Sequence, residues 1–381
     1  MTRGHTWTLV LALAVVVSCR DDVSAAPTAS QPPPPKPAKQ AQQPAASACE
    51  AALAPSSPEE TKLAAALCRE IASLGVVGAQ VAVVVDGELK IDWAVGRRCV
   101  DEDAPMIPAT RQRIGSVTKL LTATALQARH DAGGIDLDET LAALVPDVLP
   151  QAETITLRHL LTHTSGLPDV APRPDLVGMD DADRMRALYG EGPVTAPGET
   201  FAYSNAGYEL AAAAAAAAGV DVLADVQTML ADTDAGYAPD DDDACGHLGS
   251  LTGPWPYRTR DDVALFAFGA PYTRPAGGVI ASAHDLARVL AKQAPAAIAT
   301  PHVPTNADDE VYAAGLYGQP DGRDGRVWFH PGHTGDFSAD VWWVPGSNVA
   351  VAVIANGSRP LRATGLMAVQ LWGGATPTPR R

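Results

Sequence analysis

With 381 residues, 46% of them hydrophobic and 19% charged, the chain has the make-up of a globular protein with room for one large domain or two small ones, and not that of a disordered one. A net charge of -16 excludes a nucleic-acid or anionic-membrane surface as the natural reading, because both would be repelled. The plain role of so much acid is solubility.

Residues 1–19, MTRGHTWTLVLALAVVVSC, place Arg3 ahead of an apolar run from Trp7 to Val17 that is too short to span a bilayer as a stable helix. They read as a signal peptide. The run ends at Val16-Val17-Ser18-Cys19, which resembles the bacterial lipobox, where the cysteine is lipidated and becomes the mature N-terminus. An ordinary cut at Ser24-Ala25-Ala26 competes, but Pro27 would follow it directly. The expectation is an exported lipoprotein of the cell envelope, periplasmic or anchored at the outer membrane, that touches membrane only through Cys19. Residues 20–47 are rich in Pro, Ala and Gln with almost no large apolar side chains, so they cannot bury a core and read as a tether. Without Cys19, four cysteines remain in an oxidising setting: Cys49, Cys68, Cys99 and Cys245. Two disulfides in any of three pairings fit them, and no CxxC pair points to zinc or redox chemistry.

Folded structure is expected from Ser57-Pro58-Glu59-Glu60, an N-cap, a first-turn proline and a capping glutamate ahead of Leu63, Leu67, Ile71 and Leu74 at helical spacing. Residues 78–86 and 88–95 read as strands joined at Asp86-Gly87, a hairpin signal. Helical spacing follows over 117–130 and stops at Gly133-Gly134. Further helices are predicted over 157–163, 180–188, 208–218 and 222–231, the third containing eight consecutive alanines and read as buried. Helices near Thr259 and Ser282 precede strands at 312–317, 326–329, 338–344 and 349–354, and residues 361–371 read as a closing helix. The outcome is an α/β fold, an antiparallel β-sheet flanked by helices with an all-helical insertion. Its domain spans 48–375, with the α/β part at about 48–116 and 250–375 and the insertion at about 117–249. A cleft between the two parts is the natural site.

Ser116 and Lys119 stand one helical turn apart in Arg113-Ile114-Gly115-Ser116-Val117-Thr118-Lys119. A helix starting at Ser116 would put both side chains on one face, the layout of a serine activated by a lysine that burial keeps neutral. A Ser-x-x-Lys match is expected roughly once by chance in a chain of this length, so the pattern needs partners. Two further short patterns supply them, Tyr203-Ser204-Asn205 ahead of the alanine helix and His333-Thr334-Gly335 between late strands.

With these three patterns in this order, residues 76–356 resemble the class C β-lactamase-like serine hydrolases, the group that includes D-Ala-D-Ala carboxypeptidases and esterases. The stretches ITLRHLLTHTSGLPD (155–169), Pro197-Gly198-Glu199, PAGGVI (275–280) and HPGHTG (330–335) carry the resemblance further. It implies a β-lactamase/transpeptidase-like fold and an acyl-enzyme mechanism without cofactor or metal. Ser116 would be the nucleophile, Lys119 its base and Tyr203 a second proton relay. Asn205 would orient the substrate and the lysine, the backbone N–H groups of Ser116 and Asp336 would form the oxyanion hole, and His333, Thr334 and Gly335 would line the opposite wall.

The substrate is a small-molecule or peptide acyl compound. Class C β-lactamases usually carry lysine where His333 stands, and Asp336 would repel a substrate carboxylate if it faces the cleft. The first points away from a true β-lactamase, since the carboxypeptidase and esterase branches often carry histidine there, and the second favours an ester or uncharged amide, with a D-Ala-D-Ala peptide or a β-lactam as the alternatives. A catalytically silent lipoprotein that binds cell-wall peptide is the non-enzyme alternative. His159 and His163 lack the Glu-bearing HExxH context of a zinc pair and are expected to pack and to bond the turn at Ser165-Gly166. The acidic residues between Asp232 and Asp243 put glycine where an EF-hand needs an oxygen ligand and read as a solvated loop.

Overall fold

The computed structural model describes residues 46–98, 104–170, 173–176, 178–237, 273–323, 325–335 and 337–377. The leader with Cys19, the tether up to residue 45, Cys99, Cys245, the acidic run 240–243, the helix expected near Thr259 and Asp336 lie outside the described residues.

Helix α1 (Ala46–Leu53) comes ahead of the Ser57 start that the capping signature predicts, so the last residues assigned to the tether are helical. It has no amphipathic period of its own to announce it. Cys49 in α1 is bonded to Cys68 in α2 (Pro58–Leu74), and this cross-link seats the short helix on its neighbour. Closing a loop of this size is worth about 3 kcal/mol in the chain-entropy account. In α2 the Ser57 hydroxyl accepts Glu60 N–H, Pro58 opens the first turn, and Leu63, Leu67 and Ile71 face inward. Strands β1 (Gly78–Val85) and β2 (Glu88–Gly96) turn at Asp86 and Gly87, both at positive φ as a two-residue hairpin requires. Strand β3 (Gln112–Arg113) is a short piece leading into the Ser116 turn.

The middle of the chain is helical, with α3 (Thr118–Asp131), α4 (Leu141–Leu144), α5 (Leu157–Leu161), α6 (Asp181–Tyr189), α7 (Asn205–Ala217) and α8 (Val222–Met229), then the short strand β4 (Gly236–Tyr237). The alanine run lies in α7, where Ala211, Ala214 and Ala215 are fully buried. The second half of the fold contains α9 (Arg274–Gly277), β5 (Val279–Ala281), α10 (Ala283–Ile298), β6 (Val303–Pro304), β7 (Val311–Ala313), β8 (Leu316–Pro320), β9 (Arg326–Thr334), β10 (Phe337–Val344), β11 (Val349–Ala355) and α11 (Arg362–Ala368).

Among the described residues the main sheet is antiparallel with strand order β2-β1-β11-β10-β9-β8-β7-β6, and β3-β5-β4 form a small second sheet. Apolar side chains of α3, α7 and α10 form one core on one face of the main sheet, and those of α1, α2 and α11 form a second on the other face. Two strands differ from expectation. The stretch 312–317 is a hairpin, β7 and β8 turning at Ala314 and Gly315. Strand β9 runs five residues beyond Phe329, to Thr334, through Pro331 and Gly332, which break the sequence signal of a strand. Past Phe329 it pairs, among the described residues, with β10 alone, so its other edge carries no neighbouring strand there and proline is tolerated.

Candidate active site

That other edge of β9 seats the Ser116 turn. Gly115–Val117 is a 3-10 turn and α3 begins two residues after Ser116, at Thr118, instead of at Ser116 itself. A Cβ added to Gly115 would lie 2.7 Å from the backbone N and O of His333, and one added to Gly332 would lie 2.0 Å from Ile114 O. Backbone therefore packs on backbone here, and Gly115 also takes a φ of +52 that other residues avoid. These contacts bring the Ser116 peptide to the strand that carries the His-Thr-Gly pattern.

Lys119 is fully buried. Its Nζ donates to Asn205 Oδ1 at 2.7 Å and to Ala276 O at 2.8 Å, and lies 3.3 Å from Ser116 Oγ. The Tyr203 and Tyr208 rings stand 5.0 and 5.5 Å from it. Burial lowers the amine to about 7, against the opposing pull of Glu209 and Asp169. A neutral amine has two hydrogens and one lone pair. With both hydrogens given to Asn205 and Ala276, the lone pair is left for the Ser116 hydroxyl.

The Tyr203-Ser204-Asn205 segment is held by Asp169, whose Oδ1 accepts Ser204 Oγ–H at 3.1 Å and Asn205 N–H at 3.0 Å. The Ser204 hydroxyl in turn accepts Gly207 N–H and caps α7. Burial raises the Tyr203 phenol well above its ordinary value, with a hydrogen bond to Ser116 acting the other way. The phenol is neutral at physiological pH and able to exchange a proton with Ser116.

The expected opposite wall divides. Strand register puts His333 on the face of Ser338 and Asp340, so its side chain stands exposed at the rim while its backbone abuts Gly115. Partial burial and then Arg362 hold its imidazole below the usual value. Thr334 is buried, and its hydroxyl has no hydrogen-bond partner among the described residues. Gly335 ends the strand with a φ of +60. The structure thus brings Ser116, Lys119, Tyr203 and Asn205 together, with the backbone of His333 beside them.

Ala276 O and the Asp169 carboxylate also belong to this constellation, although only the stretches containing them stood out in the sequence. Of the two histidines of 155–169, His163 packs among aromatic rings as expected, but the hydrogen bonds of both go elsewhere than expected. His159 Nδ1 accepts Thr156 N–H in a capping box at the start of α5, and both nitrogens of His163 are taken by Ser204 N–H and the Tyr312 hydroxyl. Neither bonds the Ser165-Gly166 turn in this way, and His163 has no nitrogen left for a metal.

A model of the beta-lactamase family matches residues 63–372. The chain belongs to the beta-lactamase family. This places it in the serine hydrolase superfamily. Among curated proteins, it is similar to Protein flp of Staphylococcus aureus (strain COL), 31% identical over 142 residues, 35% of this chain and 28% of that protein. It is also similar to the monacolin J acid methylbutanoyltransferase of Aspergillus terreus, 37% identical over 110 residues, 23% of this chain and 27% of that protein. The chain spans less than a third of the length of these curated relatives. Among solved structures, SurE superposes with a TM-score of 0.68 at 24% identity, covering 88% of this chain and 79% of that one. A class C beta-lactamase in complex with cefoxitin gives 0.68 at 18% identity, covering 83% and 98%. At such identities the superpositions carry the fold, a mixed α/β domain of the β-lactamase/transpeptidase type.

Proposed function

We propose that this family member is an exported, lipid-anchored serine hydrolase that cleaves an ester or amide through a covalent acyl-enzyme at Ser116. One observation carries the reading: the buried Lys119 amine has two neutral acceptors for its hydrogens and lies 3.3 Å from Ser116 Oγ, with burial lowering it to about 7. Ser116 Oγ attacks the substrate carbonyl and gives its proton to Lys119. By the family resemblance, the backbone N–H groups of Ser116 and Asp336 would meet the tetrahedral oxyanion. Its collapse breaks the bond to the leaving group, which takes a proton from the Tyr203 phenol, while Lys119 returns a proton to the phenolate. Water then attacks the acyl-enzyme, losing its proton to the same relay and restoring the Ser116 hydroxyl. Asn205 holds the lysine, and His333, Thr334 and Gly335 border the acyl group.

An ester or uncharged amide is favoured: His333 stands where class C β-lactamases usually carry lysine, which speaks against a β-lactam, and a carboxylate at position 336, if it faces the cleft, would repel the carboxylate of a β-lactam or a D-Ala-D-Ala peptide. The methylbutanoyltransferase among the relatives supports acyl transfer on this framework. The lipid attachment at Cys19 and the tether would hold the domain in the cell envelope. A fluorophosphonate probe and a fluorescent penicillin, each applied to the wild type and to Ser116→Ala, test the reading. Absence of Ser116-dependent labelling by both would leave the silent peptide-binding lipoprotein. Parallel assays with a short-chain aryl ester, a D-Ala-D-Ala peptide and a chromogenic cephalosporin then rank the substrates, and the ester is expected to lead.

A further inference from the structure

Tyr203 lies on the extended segment ahead of α7, and both peptide N–H groups that flank it go to one residue. Ala202 N donates to His163 O at 2.8 Å, and Ser204 N donates to His163 Nδ1 at 3.1 Å. The His163 imidazole, 2% exposed, also packs on the Tyr203 ring with centroids 4.5 Å apart and planes tilted by 37°. Because Nδ1 receives an N–H, the ring proton sits on Nε2 and points to the Tyr312 hydroxyl 3.1 Å away. Tyr208 uses its own proton on Leu161 O at 2.9 Å, so Tyr312 donates to the Tyr208 oxygen at 3.4 Å. The proton direction along this buried chain is therefore fixed from His163 to Leu161.

His163 also adopts a φ of +59, in the left-handed region that costs a non-glycine residue about 1 kcal/mol. This backbone conformation lets one residue offer its carbonyl to Ala202 and its ring to Ser204. Burial, then Lys119 and His330, hold the imidazole well below its ordinary value, so it stays an acceptor at Nδ1. An apolar residue of similar size would fill the space and leave the buried Ser204 N–H without a partner.

We propose that His163 is a positioning residue that fixes the Tyr203 phenol against Ser116 and Lys119 by binding the peptide on either side of Tyr203 and packing on its ring. The proposal rests on the reading of Tyr203 as the second proton relay. Its test is a double-mutant cycle with p-nitrophenyl butyrate as substrate. His163→Leu is expected to lower kcat roughly 10²-fold with little change in KM, the scale of a misplaced catalytic group. His163→Asn offers an oxygen near the place of Nδ1 and tolerates the positive φ, so it is expected to recover at least about tenfold of that loss.

In a Tyr203→Phe background there is no relay to position, and His163→Leu should then change kcat by less than about twofold. An equal loss in both backgrounds would overturn the proposal and make His163 a residue of the fold only. If His163→Leu does not fold, His163→Gln replaces it: glutamine reaches Tyr312 but not Ser204 N, and activity equal to that of His163→Asn would overturn the claim. If the wild type shows no Ser116-dependent turnover of any ester, it is the functional reading that fails. The crystal structure of His163→Gln then decides the positioning claim, which expects the Tyr203 hydroxyl displaced by about 1 Å or more and fails if that hydroxyl stays in place.

Discussion

Two ionisable side chains are buried on opposite sides of the main sheet and are provided for in different ways. Lys119, on the cleft side, is met by neutral partners, the Asn205 amide oxygen, the Ala276 carbonyl and the Ser116 hydroxyl, and burial brings it to about 7. Asp340 of β10, on the side of α2 and α11, has Arg362 Nη2 3.8 Å from Oδ1 and no hydrogen-bond partner for Oδ2 among the described residues. Burial raises it to about 7 in spite of Arg362. Its neighbour Glu70 is satisfied: it accepts Ala363 N–H at 2.9 Å, Thr364 N–H at 2.8 Å and the Thr364 hydroxyl at 2.7 Å, at the start of α11. The two titrating groups reach a similar value by the same cause. They differ in what stands beside them: Lys119 has the Ser116 hydroxyl at 3.3 Å, and Asp340 has the Arg362 guanidinium at 3.8 Å.

The largest expected effect removes the group on the cleft side. Lys119→Met should lower turnover of a p-nitrophenyl ester by about 10³-fold or more, because the neutral amine is the group that takes the Ser116 proton and recharges the Tyr203 relay. In the wild type the active form is the neutral amine, whose folded value of about 7 lies below that of a free lysine. Activity should therefore be full above pH 7 and be lost as pH falls through 7, which a kcat/KM profile between pH 5 and 9 reads directly. A flat profile would separate Lys119 from proton removal. Tyr203→Phe comes next, with an expected loss of roughly 10²- to 10⁴-fold and an unchanged fold, and a wild-type rate would remove Tyr203 from the mechanism.

On the other side of the sheet the readout is stability. Glu70→Ala leaves two backbone N–H groups and one hydroxyl of α11 unpaired and should lower unfolding free energy by about 2 kcal/mol in urea, with ester turnover retained. Asp340→Asn is subtler. The raised folded value of Asp340 means that its stabilising share is complete below pH 4 and is lost as pH rises through 7. Glu209, raised to about 8, acts with the same sign in both proteins, and Lys119 acts with the opposite sign only above pH 7. The difference between wild type and Asp340→Asn isolates Asp340: the asparagine variant should gain on the wild type from pH 4.5 to 8, and parallel curves would show that Asp340 keeps its charge.

The contrast also marks what could be read in the chain. Ser116, Lys119, Tyr203 and Asn205 announce themselves because each is a residue type with chemistry at a short, fixed spacing. Ala276 is invisible in that way: it contributes a carbonyl, which every residue has, across 157 residues of sequence. Asp169 and His163 act on peptide N–H groups near Tyr203, and nothing in the spacing of an aspartate or a histidine reports such a partner. The fold was legible where side chains alternate or repeat, as in β1, β2 and α2. It was hidden where Pro331 and Gly332 interrupt β9, and in α1, whose eight residues are too few to show a period and which a disulfide ties to α2.

The smallest effect tests whether the cleft-side charge is tuned from behind. Glu209 lies one turn along α7 from Asn205, on the wall of an open cavity of about 550 Å³ whose other lining includes Ala212, Ala216 and Pro275. Its carboxyl is half-buried, and burial raises it to about 8 while Lys119 pulls it down. A negative charge there favours the ammonium form of Lys119, so Glu209→Gln should lower the lysine further and move the acid limb of kcat/KM to lower pH. Water in the open cavity screens the pair, and Glu209 is itself largely protonated near pH 7, so the shift should stay under about one pH unit. Movement of the limb to higher pH would have the wrong sign for a lost carboxylate. It would mean that the glutamine acts by disturbing Asn205, and that the poise of Lys119 comes from its neutral partners alone.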